Sequence, residues 1–305
     1  MGPELAEVIK AAGNILLGKQ EVVKLSLTCL LARGHLLIED VPGVGKTTLA
    51  HTLAHLLGLN YQRIQFTSDL LPSDIIGVSV FDTNQQNFQF HRGPIFAQLV
   101  LADEINRATP KAQSALLEAM EERQVTTDGA TYNLPEPFFV IATQNPSHQV
   151  GTFPLPESQL DRFLMRINIG YPGRSAERDL LAGGDRRAAL EDHPVVLDSR
   201  RLAEYQQQVT KVHVAEALIE YCQDILAHTR NMPDYRLGLS PRAGLALLQA
   251  ARAWAFLEDR DLVLPEDLQA ILPATIGHRL QTSGEKISIS GDGLVKDLLN
   301  KIPLP

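Results

Sequence analysis

The sequence predicts an α/β domain built on a parallel β-sheet, followed by a smaller all-α domain. Three observations support this fold class. Short apolar segments alternate with helical patterns in the first half, a glycine-rich loop follows the first apolar segment, and helical patterns dominate the second half. A chain of 305 residues is long enough for two hydrophobic cores, which fits this order of a large domain and then a smaller one.

Five short segments are expected to form the sheet. They are rich in Leu, Val, Ile and Phe and are bounded by loops, which is typical of parallel strands buried on both faces. Their ranges are 35–39, 61–66, 99–102, 138–143 and 165–169. Helical patterns flank these strands and predict a doubly wound arrangement. They cover residues 4–33 with a break at 17–20, residues 46–57 and residues 109–122.

Two further stretches alternate with the period of a β-strand and are predicted to be inserted β-hairpins. Residues 77–92 alternate around a polar turn, and residues 123–134 alternate around Asp128-Gly129, a strong hairpin signal. Four aromatic side chains lie on these hairpins, where they are suited either to grip a substrate or to pack the hairpins themselves. They are Phe81, Phe88, Phe90 and Tyr132.

The first domain is predicted to span residues 1–173, ending at Tyr171-Pro172-Gly173. Residues 174–196 are interpreted as a linker and residues 197–305 as a helical lid domain. Helices are expected at 198–209, 212–229, 240–257 and 265–280, with a short strand at 286–290.

The composition is typical of a globular protein that does not insert into a membrane. Hydrophobic residues make up 44% and charged residues 21%, and no apolar run approaches the roughly 20 residues needed to cross a bilayer. No signal peptide is apparent. Cys29 and Cys222 lie in apolar helical patterns, which predicts reduced thiols and a cytoplasmic location. A net charge of −8 argues against nucleic-acid binding, which requires basic residues.

A glycine-rich loop between the first strand and the next helix predicts a phosphate-binding site. Its glycines let backbone N–H groups turn toward phosphates, Lys46 adds positive charge, and the Thr47 hydroxyl can reach Mg²⁺. The full motif has glycine at position 40, where this chain has Asp40. The loop residues are Pro42, Gly43, Val44, Gly45, Lys46, Thr47 and Thr48.

Acidic and amide side chains follow two later strands. Asp103 and Glu104 come 57 and 58 residues after Lys46, where Asp103 can hold Mg²⁺ through water and Glu104 can act as a general base. Two acids at a strand end can also cap a helix, but their place in an α/β sheet favours catalysis. Asn145 follows the next strand. It is suited to orient water or to form a turn before Pro146, and the shared edge of the sheet favours the first role.

Together these motifs resemble the AAA+ ATPases, and most closely their MoxR family. The resemblance covers nearly the whole chain and includes Asp40 at the departure from the phosphate-loop motif. Its segments at 103–122 and 151–163 are highly specific. The full set of matching segments is 39–47, 103–122, 142–146, 151–163 and 240–242.

The resemblance implies binding of ATP and Mg²⁺ and assigns roles within one subunit. Lys46 and Thr47 would belong to the Walker A motif, Asp103 and Glu104 to Walker B, and Asn145 would be sensor 1. The segment near the adenine would be Gly18, Lys19 and Gln20.

Two arginines receive roles at the border between subunits. Arg162 would be the arginine finger offered to the next subunit's ATP, and such a finger can raise the rate roughly 10³–10⁵-fold. Asp161-Arg162 could also be a surface ion pair. Arg242 would be sensor 2 on the lid, acting either in its own site or in a neighbour's. Three other arginines compete with Arg162 for the finger role: Arg107, Arg123 and Arg166.

The resemblance also implies a hexameric ring that acts as a chaperone or remodelling factor in the maturation of a client protein. A separate partner would carry a von Willebrand factor A domain, and the two hairpins would face the pore. Two other function classes stay open. The acidic balance argues against a nucleic-acid motor, and the presence of Asp103, Glu104 and Asn145 argues against a scaffold that senses ATP without hydrolysing it.

Overall fold

The computed structural model describes residues 2–145, 152–183, 190–233 and 235–282, together with residues 293, 295, 298, 299, 301 and 302. Its centre is a sheet of five parallel strands in the order β2-β5-β8-β1-β9. The strands are β1 (Leu36–Glu39), β2 (Tyr61–Gln65), β5 (Leu99–Asp103), β8 (Phe139–Gln144) and β9 (Met165–Ile167). The predicted α/β fold is confirmed, and each strand lies within two residues of its expected bounds.

Helices cover both faces of this sheet and divide its core in two. One apolar cluster contains residues of the first helices and the lid, and the other contains residues of the helix after β5. The helices of this domain are α1 (Pro3–Ile15), α2 (Gln20–Leu31), α3 (Lys46–Leu56), α4 (Pro72–Ile76), α5 (Pro110–Glu122) and α6 (Glu157–Leu160). Short 3₁₀ turns occupy Pro94–Phe96 and Ile105–Arg107.

Both predicted hairpins are present. They consist of β3 (Gly77–Asp82) with β4 (Asn87–Arg92) and of β6 (Gln124–Thr127) with β7 (Ala130–Asn133). Asp128 and Gly129 both have positive φ, at 50° and 77°, as the tight hairpin turn requires.

The aromatic residues of the hairpins divide into two pairs. Phe90 stacks on Tyr132 with ring centroids 4.3 Å apart, so this pair packs one hairpin against the other. Phe81 and Phe88 form an edge-to-face pair on the first hairpin, and Phe88 is 72% exposed. Phe90 and Tyr132 therefore pack the hairpins together, whereas Phe81 and Phe88 are accessible to a partner.

The second half of the chain is mainly helical, as predicted. Its elements are α7 (Arg174–Ala182), α8 (Ser199–Val209), α9 (Glu216–Asn231), α10 (Pro241–Leu257), α11 (Pro265–Ile276) and a small pair of strands, β10 (Tyr235–Leu237) and β11 (Gln281–Thr282). Helix α7 lies within the predicted linker and buries none of its residues. The boundaries at 173 and 197 stay predictions, and the strand expected at 286–290 lies outside the described residues.

Two predicted helix bounds are wrong. The helix expected from residue 212 begins at Glu216, because His213 is held extended by a β-bridge to Leu262. The helix expected to end at residue 280 ends at Ile276, and Gly277 follows as its C-cap. Glycine has low helix propensity, which favours termination there.

The lid packs directly on α2. The ammonium of Lys24 lies 3.8 Å from the ring centroid of Trp254 and forms an ion pair with Glu258. Gln249 donates to the backbone oxygen of Ala32. These polar contacts surround apolar packing between α2 and α10 and fix the lid against the sheet domain.

The two cysteines are buried free thiols in separate elements, in line with the prediction. Burial raises the pKa of Cys222 to about 11 and raises that of Cys29 further, so both stay protonated at neutral pH. Within the described ranges, none of the helices is both long enough and apolar enough to cross a bilayer.

His35 precedes β1 and is buried as a neutral ring. Its Nδ1 accepts from the Val140 amide at 3.0 Å, and its Nε2 donates to the Met120 oxygen at 3.3 Å. Burial lowers the pKa of His35 to about 4. The unfolded chain takes up this proton near pH 6.5. The ring's contribution to stability is therefore complete above pH 6.5 and is lost as the pH falls toward 4.

We expect His35→Gln to remove this part of the acid sensitivity. Glutamine can accept one hydrogen bond and donate another at this position, but it does not titrate. Between pH 6.5 and 4 the wild type should lose about 3 kcal/mol more unfolding free energy than the variant. Urea unfolding at the two pH values measures this difference, and equal losses in the two proteins would contradict it.

Candidate active site

The phosphate loop connects β1 to α3 at the carboxyl edge of the sheet. Gly43 and Gly45 have φ of 85° and 100°, a conformation that side chains rarely adopt, and Gly45 caps the first turn of α3. Asp40 explains the departure from the full motif. Its Oδ1 accepts from the Val41 amide at 2.7 Å, and its Oδ2 accepts from the amides of Ile169 and Gly170 at 2.7 and 2.6 Å. Asp40 therefore ties the loop to the end of β9.

Lys46 lies at the start of α3 with a buried side chain. Its ammonium donates to the Asp40 backbone oxygen and, at 3.1 Å, to Oδ1 of Asn145. Burial lowers the pKa of Lys46, and the carboxylates of Asp40, Asp103 and Glu104 partly oppose this shift. A cation that has lost water and faces an open pocket is suited to bind phosphate oxygens.

Asp103 ends β5 and is 8% exposed. Its Oδ1 accepts from the Thr143 hydroxyl at 2.6 Å, and Oδ2 accepts from Nε and Nη2 of Arg63 at 3.1 and 2.6 Å. These contacts arise from strand register, because Arg63 lies on β2 and Thr143 on β8, the two neighbours of β5. The carboxylate is thus held between two strands.

Glu104 has a left-handed backbone, with φ 57° and ψ 48°. Its amide donates to the Thr143 hydroxyl at 2.8 Å, which holds this unusual conformation in place. The carboxylate accepts from Nδ2 of Asn145 at 3.0 Å and from Nε2 of Gln65 at 3.2 Å, and it pairs with Arg107 at 3.0 Å. The turn therefore aims the side chain across the sheet edge toward Asn145.

The predicted phosphate-binding and metal-binding groups, with Glu104 and Asn145, converge on one open pocket. Asn145, only 3% exposed, bridges Lys46 and Glu104 with its amide. Thr47 and Asp103 face the same space. The residues lining the pocket are Pro42, Gly43, Gly45, Lys46, Thr47, Thr48, Asp103, Glu104 and Asn145.

The segment predicted to lie near the adenine borders the phosphate loop. Leu16, just before it, packs at Gly45, where an added Cβ would lie 3.6 Å from Leu16 Cδ2. Lys19 turns the other way and donates to the backbone oxygens of Ile169 and Tyr171 at 2.6 and 2.7 Å. Contact with adenine by Gly18, Lys19 and Gln20 stays a prediction.

Arg162 and Arg242 lie at the opposite, amino edge of the sheet. The Leu164 amide donates to the His35 oxygen at 2.9 Å, which places the Arg162 segment where β1 begins. Parallel strands place all their carboxyl ends at the other edge, and β1 with its flanking residues spans roughly 15 Å. Arg162 therefore lies well away from its own phosphate loop.

The two arginines share one carboxylate. Nε of Arg162 lies 2.9 Å from Oε2 of Glu121, and Nη1 of Arg242 lies 2.9 Å from Oε1. The surrounding cleft also contains Asp161 and is strongly basic. Five arginines line it: Arg33, Arg123, Arg162, Arg242 and Arg279.

The structure places the competing arginines apart. Arg107 pairs with Glu104 in its own subunit's pocket. Arg166 is bound to Glu39 and to the Gly277 oxygen. Arg123 lies in the basic cleft, but it donates to the Arg33 oxygen at 3.0 Å. Of these four arginines, Arg162 is the one that combines the basic cleft with a shared anionic partner.

Several residues that shape the site have no signal of their own in the sequence. Thr143 lies within the matching segment 142–146, but no feature of that segment singles it out. Arg63 and Gln65 lie on a strand with no motif. The alternation of a β-strand gives one clue. Arg63 and Gln65 are polar residues two positions apart on β2, so their side chains project from the same face of the sheet. Glu121 and Arg279 could not be found without knowing which elements meet.

Comparison with known proteins identifies the family. Residues 35–165 match the family described as "ATPase family associated with various cellular activities (AAA)", and residues 227–298 match "AAA lid domain". The chain is 44% identical to the Bacillus subtilis protein YeaC, over 99% of this chain and 95% of that protein. It is 38% identical to Chaperone MoxR1 of Mycobacterium tuberculosis, over 99% and 82%. The chain belongs to the MoxR family of AAA+ ATPases.

A solved structure supports the same assignment for this MoxR-family chain. The crystal structure of a Cytophaga hutchinsonii protein superposes with a TM-score of 0.88 at 36% identity. The match covers 99% of this chain and 95% of that protein, so it includes both the sheet domain and the lid.

Proposed function

We propose that this MoxR-family chain binds ATP with Mg²⁺ at the phosphate loop and hydrolyses the ATP to ADP and phosphate. The observation that carries the proposal is the convergence of Lys46, Asp103, Glu104 and Asn145 on one pocket at the carboxyl edge of the sheet. This set offers a cation for phosphate oxygens, a carboxylate for the metal and a base for water, which are the requirements of phosphoryl transfer to water.

The residues fit Mg²⁺ as well as the nucleotide. The Thr47 hydroxyl would hold the ion directly and Asp103 through water, and the ion would neutralise charge on the phosphates. Oδ2 of Asp103 accepts from both Nε and Nη2 of Arg63, whereas one described donor, the Thr143 hydroxyl, reaches Oδ1. Oδ1 therefore keeps a lone pair for a metal-bound water.

Glu104 would take the proton of the attacking water. Asn145 donates to Glu104 and accepts from Lys46, so it holds the base and the phosphate-binding cation at a set separation. Gln65 and Arg107 occupy the other carboxylate oxygen from exposed positions. These two side chains can move aside to admit water, since the surrounding backbone does not have to change.

A neighbouring subunit would complete this site with Arg162 and Arg242. Both lie at the edge of the sheet remote from their own phosphate loop, which favours action in trans for both. Glu121 holds the two guanidinium groups around a single anion, as a γ-phosphate would. This arrangement requires a ring or similar assembly of identical subunits, and we propose a hexamer.

We expect Lys46→Ala to weaken ATP binding by about 10²-fold or more, because charge-assisted contacts to the phosphates are lost. Titration with a fluorescent ATP analogue in the presence of Mg²⁺ measures the affinity. Lys111→Ala removes an exposed lysine from α5 and serves as the control. Unchanged binding by Lys46→Ala would show that the nucleotide is held elsewhere.

The assembly would act as a chaperone or remodelling factor in the maturation of a client protein, together with a partner that carries a von Willebrand factor A domain. The relative from M. tuberculosis is named a chaperone. The exposed aromatic pair Phe81 and Phe88 offers an apolar surface that a client could contact. We place this activity in the cytoplasm.

A further inference from the structure

We propose that Arg279 is a positioning residue through which the lid sets the place of the arginine finger. The inference rests on the proposed role of Arg162 in a neighbour's site. Arg279 follows α11 in the lid, and its side chain is only 5% exposed. It does not touch the phosphate pocket of its own subunit.

The guanidinium of Arg279 donates hydrogen bonds to the residues that precede and follow Arg162 in the chain. Nε donates to Oδ1 of Asp161 at 2.6 Å, and Nη2 donates to the backbone oxygens of Asp161 and Phe163 at 3.1 and 2.8 Å. Nη1 donates to the Leu164 oxygen at 3.2 Å. The backbone that carries Arg162 is therefore held by a single lid side chain.

Neighbours of Arg279 add to this contact. Nε2 of His278 donates to the Phe163 oxygen at 3.1 Å, and Nη2 of Arg166 donates to the Gly277 oxygen at 3.2 Å. The short segment Gly277–Arg279 thus lies along the finger segment and the start of β9. A shift of α11 relative to the sheet would move the finger with it.

The chemistry of Arg279 favours positioning over packing. A buried guanidinium loses hydration that an apolar side chain would not need, so tight packing alone does not call for arginine. Its planar, rigid set of five donors holds several oxygens in a fixed geometry, which lysine cannot do. All five donors have a partner here, because Nη1 also donates to the Thr275 oxygen.

The lid also contributes Arg242 to the basic cleft in which Arg162 lies. Arg242 lies on α10 and shares Glu121 with Arg162. The lid therefore determines both the position of Arg242 and, through Arg279, the backbone of Arg162. A movement of the lid in one subunit would in this way change the cationic pair that it offers to its neighbour.

The test compares Arg279→Ala with Arg260→Ala in the full-length chain. Arg260 is a matched control, because it makes a bidentate ion pair with the buried Asp267 inside the lid and does not contact the finger segment. We expect Arg279→Ala to lower kcat by about 10²-fold, as misplacement of a catalytic group does, with ATP affinity changed by no more than about twofold. Arg260→Ala should keep most of its turnover.

Mixed assemblies separate positioning from damage to the subunit's own site. Arg279→Ala retains its own Glu104, so mixing it with Glu104→Gln subunits, whose fingers are intact, should restore turnover. Mixing it with Arg162→Ala should restore none, because both lack a working finger. Where Arg279→Ala does not fold, Arg279→Lys keeps the cation without the planar donors and is measured in the same mixtures.

Two results would overturn the proposal. One is turnover of Arg279→Ala equal to that of Arg260→Ala. The other is no recovery with Glu104→Gln although the pair Arg162→Ala and Glu104→Gln is active together. If that reference pair is itself inactive, the proposal of a site shared between subunits is contradicted, and the positioning role of Arg279 that rests on it is contradicted as well.

Discussion

Glu104→Gln is expected to bind ATP as tightly as the wild type and to hydrolyse it about 10²–10⁴-fold more slowly. Glutamine has nearly the same shape, and its one side-chain oxygen can still accept from Asn145. It cannot take the proton of the attacking water. Release of phosphate at saturating ATP measures turnover, and titration with a fluorescent analogue measures binding.

Glu118→Gln is the matched control for this experiment. Glu118 is an exposed glutamate on α5, so its substitution changes the net charge equally without touching the pocket. Normal turnover by Glu104→Gln would rule out this residue as the general base. Asp103 would then be the remaining described carboxylate in the pocket.

The same variant can reveal the client, because an ATPase that holds ATP without hydrolysis retains what it binds in that state. Tagged Glu104→Gln would be held in ATP and the proteins that co-purify from its own cells identified. Recovery of a protein with a von Willebrand factor A domain supports the maturation chaperone. Recovery of nucleic acid with replication or repair proteins would contradict that function and leave the ATPase assignment intact.

Arg162→Ala is expected to lose turnover by roughly 10³–10⁵-fold while ATP binding persists. The structure supports this separation, because Arg162 lies at the edge of the sheet remote from its own phosphate loop. The guanidinium would stabilise charge on the γ-phosphate of the next subunit as the bond to the leaving group breaks. Arg200→Ala is the control, since Arg200 is 90% exposed on α8.

Mixing two inactive proteins tests whether the site is shared. An Arg162→Ala subunit has an intact pocket, and a Glu104→Gln subunit has an intact finger. Mixed assemblies should therefore contain complete sites wherever the pocket of an Arg162→Ala subunit faces the finger of a Glu104→Gln subunit. The recovered activity should rise with the number of such neighbouring pairs. Absence of any recovery, with both proteins shown to assemble together, would argue against a finger supplied in trans.

Much of the fold could be predicted because its signals are local. The period of apolar residues identified the five strands, and Asp128-Gly129 identified a hairpin turn whose two positive φ angles only certain residues adopt readily. The phosphate loop was equally visible, since the need for glycine at positions 43 and 45 follows from the backbone conformation itself. One wrong helix bound lies at His213, where a distant bridge overrides helical periodicity, and the other lies at Gly277, where the helix ends earlier than expected.

The supporting residues of the site could not be predicted in the same way. Thr143 is a short polar side chain in an apolar strand, and its importance comes from register. It is placed beside Asp103 and reaches both that carboxylate and the Glu104 amide. The left-handed backbone at Glu104 is likewise invisible in sequence, because non-glycine residues adopt it only when surrounding contacts hold them there.

The sequence alone determined the family resemblance, the α/β fold and the chemical groups of the phosphate pocket, because these depend on short motifs at the ends of predicted strands. Only the tertiary structure decided which distant groups meet. Asp40 ties the phosphate loop to β9, Glu121 joins Arg162 to Arg242, and Arg279 holds the finger segment from the lid. The physical reason is that these contacts join elements far apart in the chain, whose approach is set by sheet order and lid packing.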